Sequence, residues 1–412
     1  MSPVAWPGLR PAWVEVDLDA VAHNTRTLAA EVAPARVLAV VKADAYGHGA
    51  VPVARTAISA GASWLGVALV EEALDLRAAG ISAPVLVLSE PHPGSADACA
   101  EHGIAVTVCT PAGVQAFGAA GRRGGRPVAA HLKVDTGMHR QGCDPAGLPA
   151  LAAAALAEPG LAVEGVWSHF AVADEPGQRA TTDAQLARYD DALAEAAAAG
   201  LAPRWRHLAN SAGATLRDDA RFDLVRLGIE LYGLAPSPDL PGEATARLRP
   251  ALALRAAVSA IRTVEAGERV SYGHRWAARA RTRIVTLPVG YADGVRRGLS
   301  DRIRVRLGGR DFRQVGRVTM DQVMVDVGDA PVEVGEVATL LGDPARGEPG
   351  VREWSVALDT IDYEVTCGLS DRLPRVHHHG ERVVGPVPGV PAHAGRPAGA
   401  AHAGPAGEGV RR

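Results

Sequence analysis

From residue 12 to 235, short runs rich in Val, Leu and Ile alternate with alanine-rich stretches whose apolar residues recur at helical spacing. A first helix follows Asp17 or Asp19, either of which can cap it, and Leu18, Val21, Leu28 and Val32 form its apolar stripe. Eight strands are then predicted, at 37–42, 64–69, 85–88, 104–108, 129–134, 163–168, 205–209 and 223–227. Six of the intervening segments can hold a helix or helical turn, and the 209–223 gap is tight. Eight such units in about 220 residues predict an α/β chain built on a parallel (β/α)8 TIM-type barrel over 12–248. A doubly wound open sheet is the alternative, but no G-x-G-x-x-G turn follows the first strand.

Prolines 236, 238, 241 and 250 mark a linker, and the pattern then changes. Segments 251–264, 282–289, 302–307, 312–318, 322–327 and 336–341 are short, β-branched or Arg-alternating, and divided by Gly and Asp turns. They predict a mostly β C-terminal domain over 249–379. The Gly, Pro and Ala content from 380 to 412 predicts a disordered tail.

Composition narrows the function. A net charge of −3 and 4% aromatic residues argue against nucleic-acid binding. The N-terminus lacks an apolar signal core, and no run is long and apolar enough for a membrane span, so a cytoplasmic protein is expected. Cys99, Cys109, Cys143 and Cys367 have neither disulfide-framework nor zinc spacing and read as free thiols.

The sharpest signal is lysine. Lysine and arginine total 43, yet only Lys42 and Lys133 are lysine. Codon bias explains the arginine excess but not why both lysines sit at the end of an apolar, strand-like run. Arginine stays protonated, whereas a lysine amine can be neutral, attack a carbonyl and move protons. In a barrel, chemistry gathers at the C-terminal strand ends. Those ends carry Lys42 with Tyr46, Lys133 with Arg140, His169, Asn210 with Ser211, and Arg226 with Gly228 and Ile229. The loops after the last two strands are where barrels bind phosphate, and Ser211 and Gly228 suit an anion. A phosphate, a reactive lysine and no metal cluster suggest pyridoxal phosphate.

The segment Val40-Val-Lys-Ala-Asp-Ala-Tyr-Gly-His-Gly49 resembles the pyridoxal-phosphate attachment segment of alanine racemases. Further matches follow in order: Val134-Asp-Thr-Gly-Met138, Ser168-His-Phe170, Ala209-Asn-Ser-Ala212, Ser271-Tyr-Gly273, Gly290-Tyr-Ala-Asp-Gly294, Met320-Asp-Gln322 and Ile361-Asp-Tyr-Glu-Val365. Together they span about residues 12–376.

The resemblance implies interconversion of L- and D-alanine for cell-wall precursors by a homodimer with shared sites. Lys42 would hold pyridoxal 5'-phosphate through a Schiff base and serve one face of the substrate; Tyr272 of the other subunit would serve the opposite face. Two bases are needed because a single base returns the proton to the face it came from. His169 would lie beside the cofactor ring and touch both Tyr272 and Arg226. Arg226 would face the pyridine nitrogen, supported by His207; an arginine there donates a hydrogen bond without giving up a proton. Tyr46, Asn210, Ser211, Gly228, Ile229 and Tyr363 would hold the cofactor, most of them at its phosphate. Lys133 is implied to be carbamylated and so to orient Arg140, which would pair with the substrate carboxylate. Met320, also from the partner, would offer a backbone N–H to that carboxylate; Asp321 would place its loop and Tyr291 would narrow access.

Four positions depart from the family pattern: Asp44 for asparagine, His139 for glycine, Leu227 for proline and Thr319 for cysteine. The rival readings are a racemase for serine or a broader set, a decarboxylase, and a cofactor carrier without catalysis. Arg226 opposes the decarboxylase, which uses a carboxylate at that place. The β domain bearing Tyr272 and Met320 opposes the carrier, which needs no second base.

Overall fold

The structure is a computed structural model that describes residues 10–237, 240 and 246–384. The first strand, β1 (Ala12–Asp17), leads into the helix Leu18–Val32, where the Asp17 carboxylate caps the N–H groups of Asp19 and Ala20 at 2.9 and 3.0 Å. The predicted stripe Leu18, Val21, Leu28 and Val32 is buried.

All eight expected barrel strands are present: β2 (Arg36–Val40), β3 (Trp64–Val67), β4 (Val85–Val87), β5 (Ala105–Val108), β6 (Val128–Lys133), β7 (Leu161–Trp167), β8 (Trp205–His207) and β9 (Leu224–Leu227). They are parallel, in the order β8-β7-β6-β5-β4-β3-β2-β9. The gap between β8 and β9 is bridged by Asp223 N–H to Arg206 O (3.1 Å) and Arg226 N–H to Ala209 O (3.0 Å), which nearly closes the barrel. Parallel strands buried on both faces need near-continuous apolar runs, and all four residues of β3, β5 and β9 are buried. The tight 209–223 gap holds only the helix Ser211–Leu216 and a 3-10 turn at Asp218–Ala220.

The second domain carries β10 (Leu252–Ala257), β11 (Ala260–Val264), β12 (Arg269–Val270), β13 (Trp276–Ala277), β14 (Thr282–Leu287), β15 (Arg304–Leu307), β16 (Arg310–Val315), β17 (Val323–Gly328), β18 (Val337–Leu341), β19 (Arg375–His379) and β20 (Arg382–Val384). One ten-stranded sheet runs β11-β14-β17-β16-β15-β18-β10-β1-β19-β20, and β12 and β13 form a small ribbon. Two features differ from the sequence expectation. Strand β1 lies within the bounds expected for the barrel, yet it pairs antiparallel with β10 and parallel with β19. Its residues from Ala12 to Val16 are all buried, as in a barrel strand, and its sheet partners lie more than 200 residues away. Strand β20 lies inside the segment expected to be disordered; it pairs with β19, while residues 385–412 of that segment lie outside the described residues, as do Pro238 and Pro241 of the linker.

Candidate active site

The C-terminal strand ends converge on one cavity of about 480 Å³. Its lining includes Lys42, Tyr46, Lys133, Arg140, His169, Asn210, Ser211, Arg226, Gly228, Ile229 and Tyr363, eleven residues singled out from sequence. Trp167 and Gln141 also line it and were missed. The signal for Trp167 was present, because it ends β7 beside Ser168 and His169.

Lys42 opens an unusual turn. Ala43, Asp44, Ala45 and Tyr46 all have φ between +50 and +56°, a left-handed helical turn made without glycine. Each such residue costs about 1–2 kcal/mol, so the surroundings must hold the turn. They do so from three sides. Glu72 accepts from Ala43 N–H at 2.6 Å, Asp44 accepts from Ala50 N–H at 2.7 Å, and the second domain covers the end. There His377 bonds His48 O at 2.7 Å, Arg375 donates to Gly47 O at 3.2 Å, and a Cβ on Gly47 would lie 2.4 Å from Thr366 O. Among non-glycine residues asparagine and aspartate best tolerate this conformation, which suits Asp44. His139 too has a positive φ, +54°, a conformation that glycine adopts more readily. Burial, then the Arg140 cation, lowers the Lys42 pKa.

Lys133 is buried and has no hydrogen bond or ion pair among the described residues. Its Nζ lies 4.3 Å from the centre of the Trp167 ring. Burial, then the cations of Arg226 and Arg140, pulls its pKa down to about 8. The loop that follows is organised by Asp135, whose carboxylate accepts from the N–H groups of Gly137, Met138, His139 and Arg140 at 2.9–3.2 Å.

Arg226 projects from β9 into a fully protein-made cradle. Its Nη1 donates to His207 Nδ1 (2.9 Å) and His207 O (3.0 Å); its Nη2 donates to Ser168 O (2.7 Å), Leu208 O (2.8 Å) and His169 Nδ1 (3.0 Å). No carboxylate is among these partners, and burial lowers its pKa from the usual arginine value while leaving the guanidinium a cation. Trp167 stacks flat on His207, ring centres 5.5 Å apart, with the Arg226 guanidinium carbon 4.6 Å from the centre of the Trp167 ring. Burial, then Arg226, holds both His207 and His169 well below the ordinary histidine pKa, so both are neutral.

The other end of the cavity is a set of donors. Ser211 Oγ accepts from Gly228 N–H at 2.8 Å, and a Cβ on Gly228 would lie 2.6 Å from Tyr46 Oη. The rings of Tyr46 and Tyr363 are 5.8 Å apart, and neither hydroxyl is bonded to another described residue. Asn210 caps the helix Ser211–Leu216 through Gly213 N–H at 2.9 Å.

The remaining sequence-chosen residues lie elsewhere on the chain. Tyr272 is 73% exposed and Met320 52% exposed, with Tyr291 also exposed. Their loops are bonded to one another: Ser271 Oγ donates to Arg317 O (2.7 Å), and Tyr291 and Ala292 N–H groups donate to Thr319 O and Met320 O (2.9 and 3.0 Å). Asp321 accepts from Arg372 at 2.6 Å, and Arg372 also reaches the buried Asp293, which holds Gly290 N–H at 2.9 Å.

Sequence models described as "Alanine racemase, N-terminal domain" and "Alanine racemase, C-terminal domain" match residues 16–236 and 251–377. The chain belongs to the alanine racemase family. The alanine racemase of Symbiobacterium thermophilum is 48% identical over 371 residues, covering 90% of this chain and 98% of that one. The alanine racemase of Thermobifida fusca is 46% identical over 371 residues, covering 89% and 98%. Among solved structures, the alanine racemase of D-cycloserine-producing Streptomyces lavendulae superposes with a TM-score of 0.86 at 44% identity, covering 90% of this chain and 98% of that chain. That of Bacillus anthracis, solved with bound L-Ala-P, gives 0.85 at 36% identity, covering 92% and 98%. The N-terminal model matches the barrel and the C-terminal model the β domain, and no helix among the described residues is long and apolar enough to cross a membrane.

Proposed function

We propose that this chain interconverts L- and D-alanine with pyridoxal 5'-phosphate as cofactor, by two bases supplied from two subunits of a homodimer. The observation that carries the reading is the pairing of a neutral-prone lysine at one end of the cavity with an arginine, lacking any acidic partner, at the place for the ring nitrogen.

The residues present suit the cofactor. Lys42 would bind its aldehyde carbon, and its lowered pKa favours the free amine that this bond requires. Tyr46, Ser211, Tyr363 and the N–H groups around Gly228 and Ile229 suit its phosphate; the closeness of Gly228 to Tyr46 leaves no room for a side chain there. Asn210 and His169 line the space for the ring. The cofactor, when bound, withdraws electrons from the alanine Cα and so acidifies its proton.

The chain's own residues then divide the work. Lys42 Nζ takes or returns the Cα proton on one face. Tyr272 Oη of the partner subunit serves the other face. A Tyr272 that is 73% exposed on one chain, in a loop strained at Ser271 (φ +67°) and His274 (φ +47°), suits a side chain presented to a neighbour. Arg226 offers N–H groups but no transferable proton, which keeps the electron withdrawal modest and favours reprotonation at Cα over side reactions. Arg140 suits the substrate carboxylate, with Met320 N–H of the partner as a second donor and Asp321 fixing its loop through Arg372. Lys133 reacts with carbon dioxide: its neutral amine forms an N–C bond, loses a proton to solvent, and becomes a carbamate anion that pairs with Arg140. His207 supports Arg226, and Tyr291 narrows the approach. The D-alanine formed goes to wall precursors in the cytoplasm, as family membership implies.

The test incubates the holoenzyme with L-alanine in deuterated water. Racemisation with deuterium at Cα supports the reading; carbon dioxide release, or binding without exchange, refutes it.

A further inference from the structure

Beneath Arg226 lies a second buried imidazole that the reaction does not touch. His131 Nδ1 and His207 Nε2 are 2.8 Å apart, both side chains wholly buried inside the barrel. The chain makes room for this pair in two ways. Between β6 and β7 the register slips: Ala130 faces Val163 but His131 faces Gly165, so Glu164 is an extra, bulged residue. Opposite His131 stands that glycine, and a Cβ on Gly165 would lie 2.4 Å from His131 Nδ1. A bulge and a glycine at one spot indicate a fixed arrangement, not a histidine stranded in an apolar core.

The hydrogen bonds dictate where the protons are. Arg226 can only donate, so His207 Nδ1, at 2.9 Å from its Nη1, carries no proton. A neutral imidazole carries one proton, so it is on His207 Nε2, which therefore donates to His131 Nδ1. His131 then carries its own proton on Nε2. That N–H is buried without a partner among the described residues, beside Trp64, whose ring meets the imidazole at 70° with centres 5.2 Å apart. An aromatic ring accepts an N–H weakly, which suits the end of a chain of donors.

We infer that His131 is a positioning residue: it holds His207 in its Nε2–H form, so that a bare Nδ1 faces Arg226 and fixes the guanidinium. Without an acceptor at His131, His207 loses the reason to keep its proton on Nε2. A proton on Nδ1 sets donor against donor at Arg226, and Nη1 must turn away. Burial, then the Arg226 cation, pushes the His131 pKa down to about 3, so the chain holds its proton pattern across the neutral range. The catalytic consequence rests on the racemase reading above; the proton pattern rests only on the hydrogen bonds.

The test uses holoenzyme carrying ring-15N histidine, with resonances assigned through His131→Gln and His207→Asn. Both histidines are expected as neutral Nε2–H tautomers from pH 6 to 9. In His131→Phe, His207 is expected to move to the Nδ1–H form, and kcat to fall at least on the order of 10-fold, the size of effect seen when a hydrogen-bonded partner of a site residue is lost. KM for alanine is expected to change far less. His131→Gln, whose amide oxygen can accept, is expected to keep the native His207 signature and most of kcat. A His207 Nδ1–H form in the native protein, or in His131→Gln, overturns the inference. So does a His131→Phe variant with native tautomer and native kcat. If the phenylalanine variant does not fold, the native and glutamine spectra still decide. If no racemisation is seen at all, the racemase reading fails while the spectra judge the proton pattern by themselves.

Discussion

Stripping carbon dioxide from the protein and then returning 13C-labelled bicarbonate probes Lys133 directly. With its pKa pulled down to about 8, about a quarter of Lys133 is neutral amine at pH 7.5; an ordinary lysine would be neutral about one time in a thousand. The environment therefore raises the reactive fraction by roughly two hundredfold before any product stabilisation is counted. The same two cations that depress the amine, Arg226 and Arg140, favour the anion that replaces it, so charge works in one direction throughout. One carbamate carbon per chain is expected in the 13C spectrum, absent in Lys133→Arg, with activity returning as bicarbonate returns. A native protein that shows no carbamate signal, or a Lys133→Arg variant that keeps it, refutes the reasoning. Full activity in Lys133→Arg would refute the role given to the carbamate even if the signal were present.

Tyr272→Phe is expected to abolish proton abstraction from L-alanine while leaving residual Cα exchange from D-alanine, read by mass spectrometry in deuterated water. Gly228→Ala forces a Cβ to within 2.6 Å of Tyr46 Oη, so cofactor affinity should fall at least tenfold by equilibrium dialysis while the fold survives by circular dichroism. Ala43→Gly relieves about 1–2 kcal/mol of left-handed strain and loses about 0.5–1 kcal/mol to chain entropy. Its denaturation midpoint should hold or rise, while a looser Lys42 lowers kcat. His131 and His48 are buried with pKa values pushed down to about 3 and 4, mainly by burial. The unfolded chain therefore binds more protons below pH 6.5, and stability should fall as pH drops from 6.5 towards 3, measured by urea melts.

Periodicity in the sequence was enough to place all eight barrel strands, because parallel strands buried on both faces leave dense apolar runs that little else imitates. The cavity lining was legible for the same reason: strand ends were countable, and unusual residues stood on them. What was not legible depended on partners distant in the chain. Strand β1 is buried along nearly its whole length, as a barrel strand would be, and nothing local says which sheet it joins. The short helix Asp362–Cys367, which covers the Lys42 turn through Thr366, has too few turns to declare itself. Nor do Ala43 and Ala45 announce a left-handed turn, since alanine ordinarily signals the opposite hand. His131 has apolar sequence neighbours in Ala130 and Leu132, and only the fold, which sets His207 2.8 Å from it, reveals a purpose.

The place of β1 in the second sheet sets a schedule for biosynthesis. Ala12–Asp17 emerges from the ribosome before either neighbour: Leu252–Ala257 follows 235 residues later, and Arg375–His379 later still. At roughly 5–20 residues per second, this apolar strand waits on the order of 10–50 s with both edges unpaired. The barrel can assemble behind it in that interval, yet the sheet cannot be sealed until Arg375–His379 has been made. A nascent chain stalled anywhere before residue 252 therefore carries a bare edge strand. Severing the linker between the barrel and the second sheet would not release two whole domains, because each fragment would hold part of the same sheet.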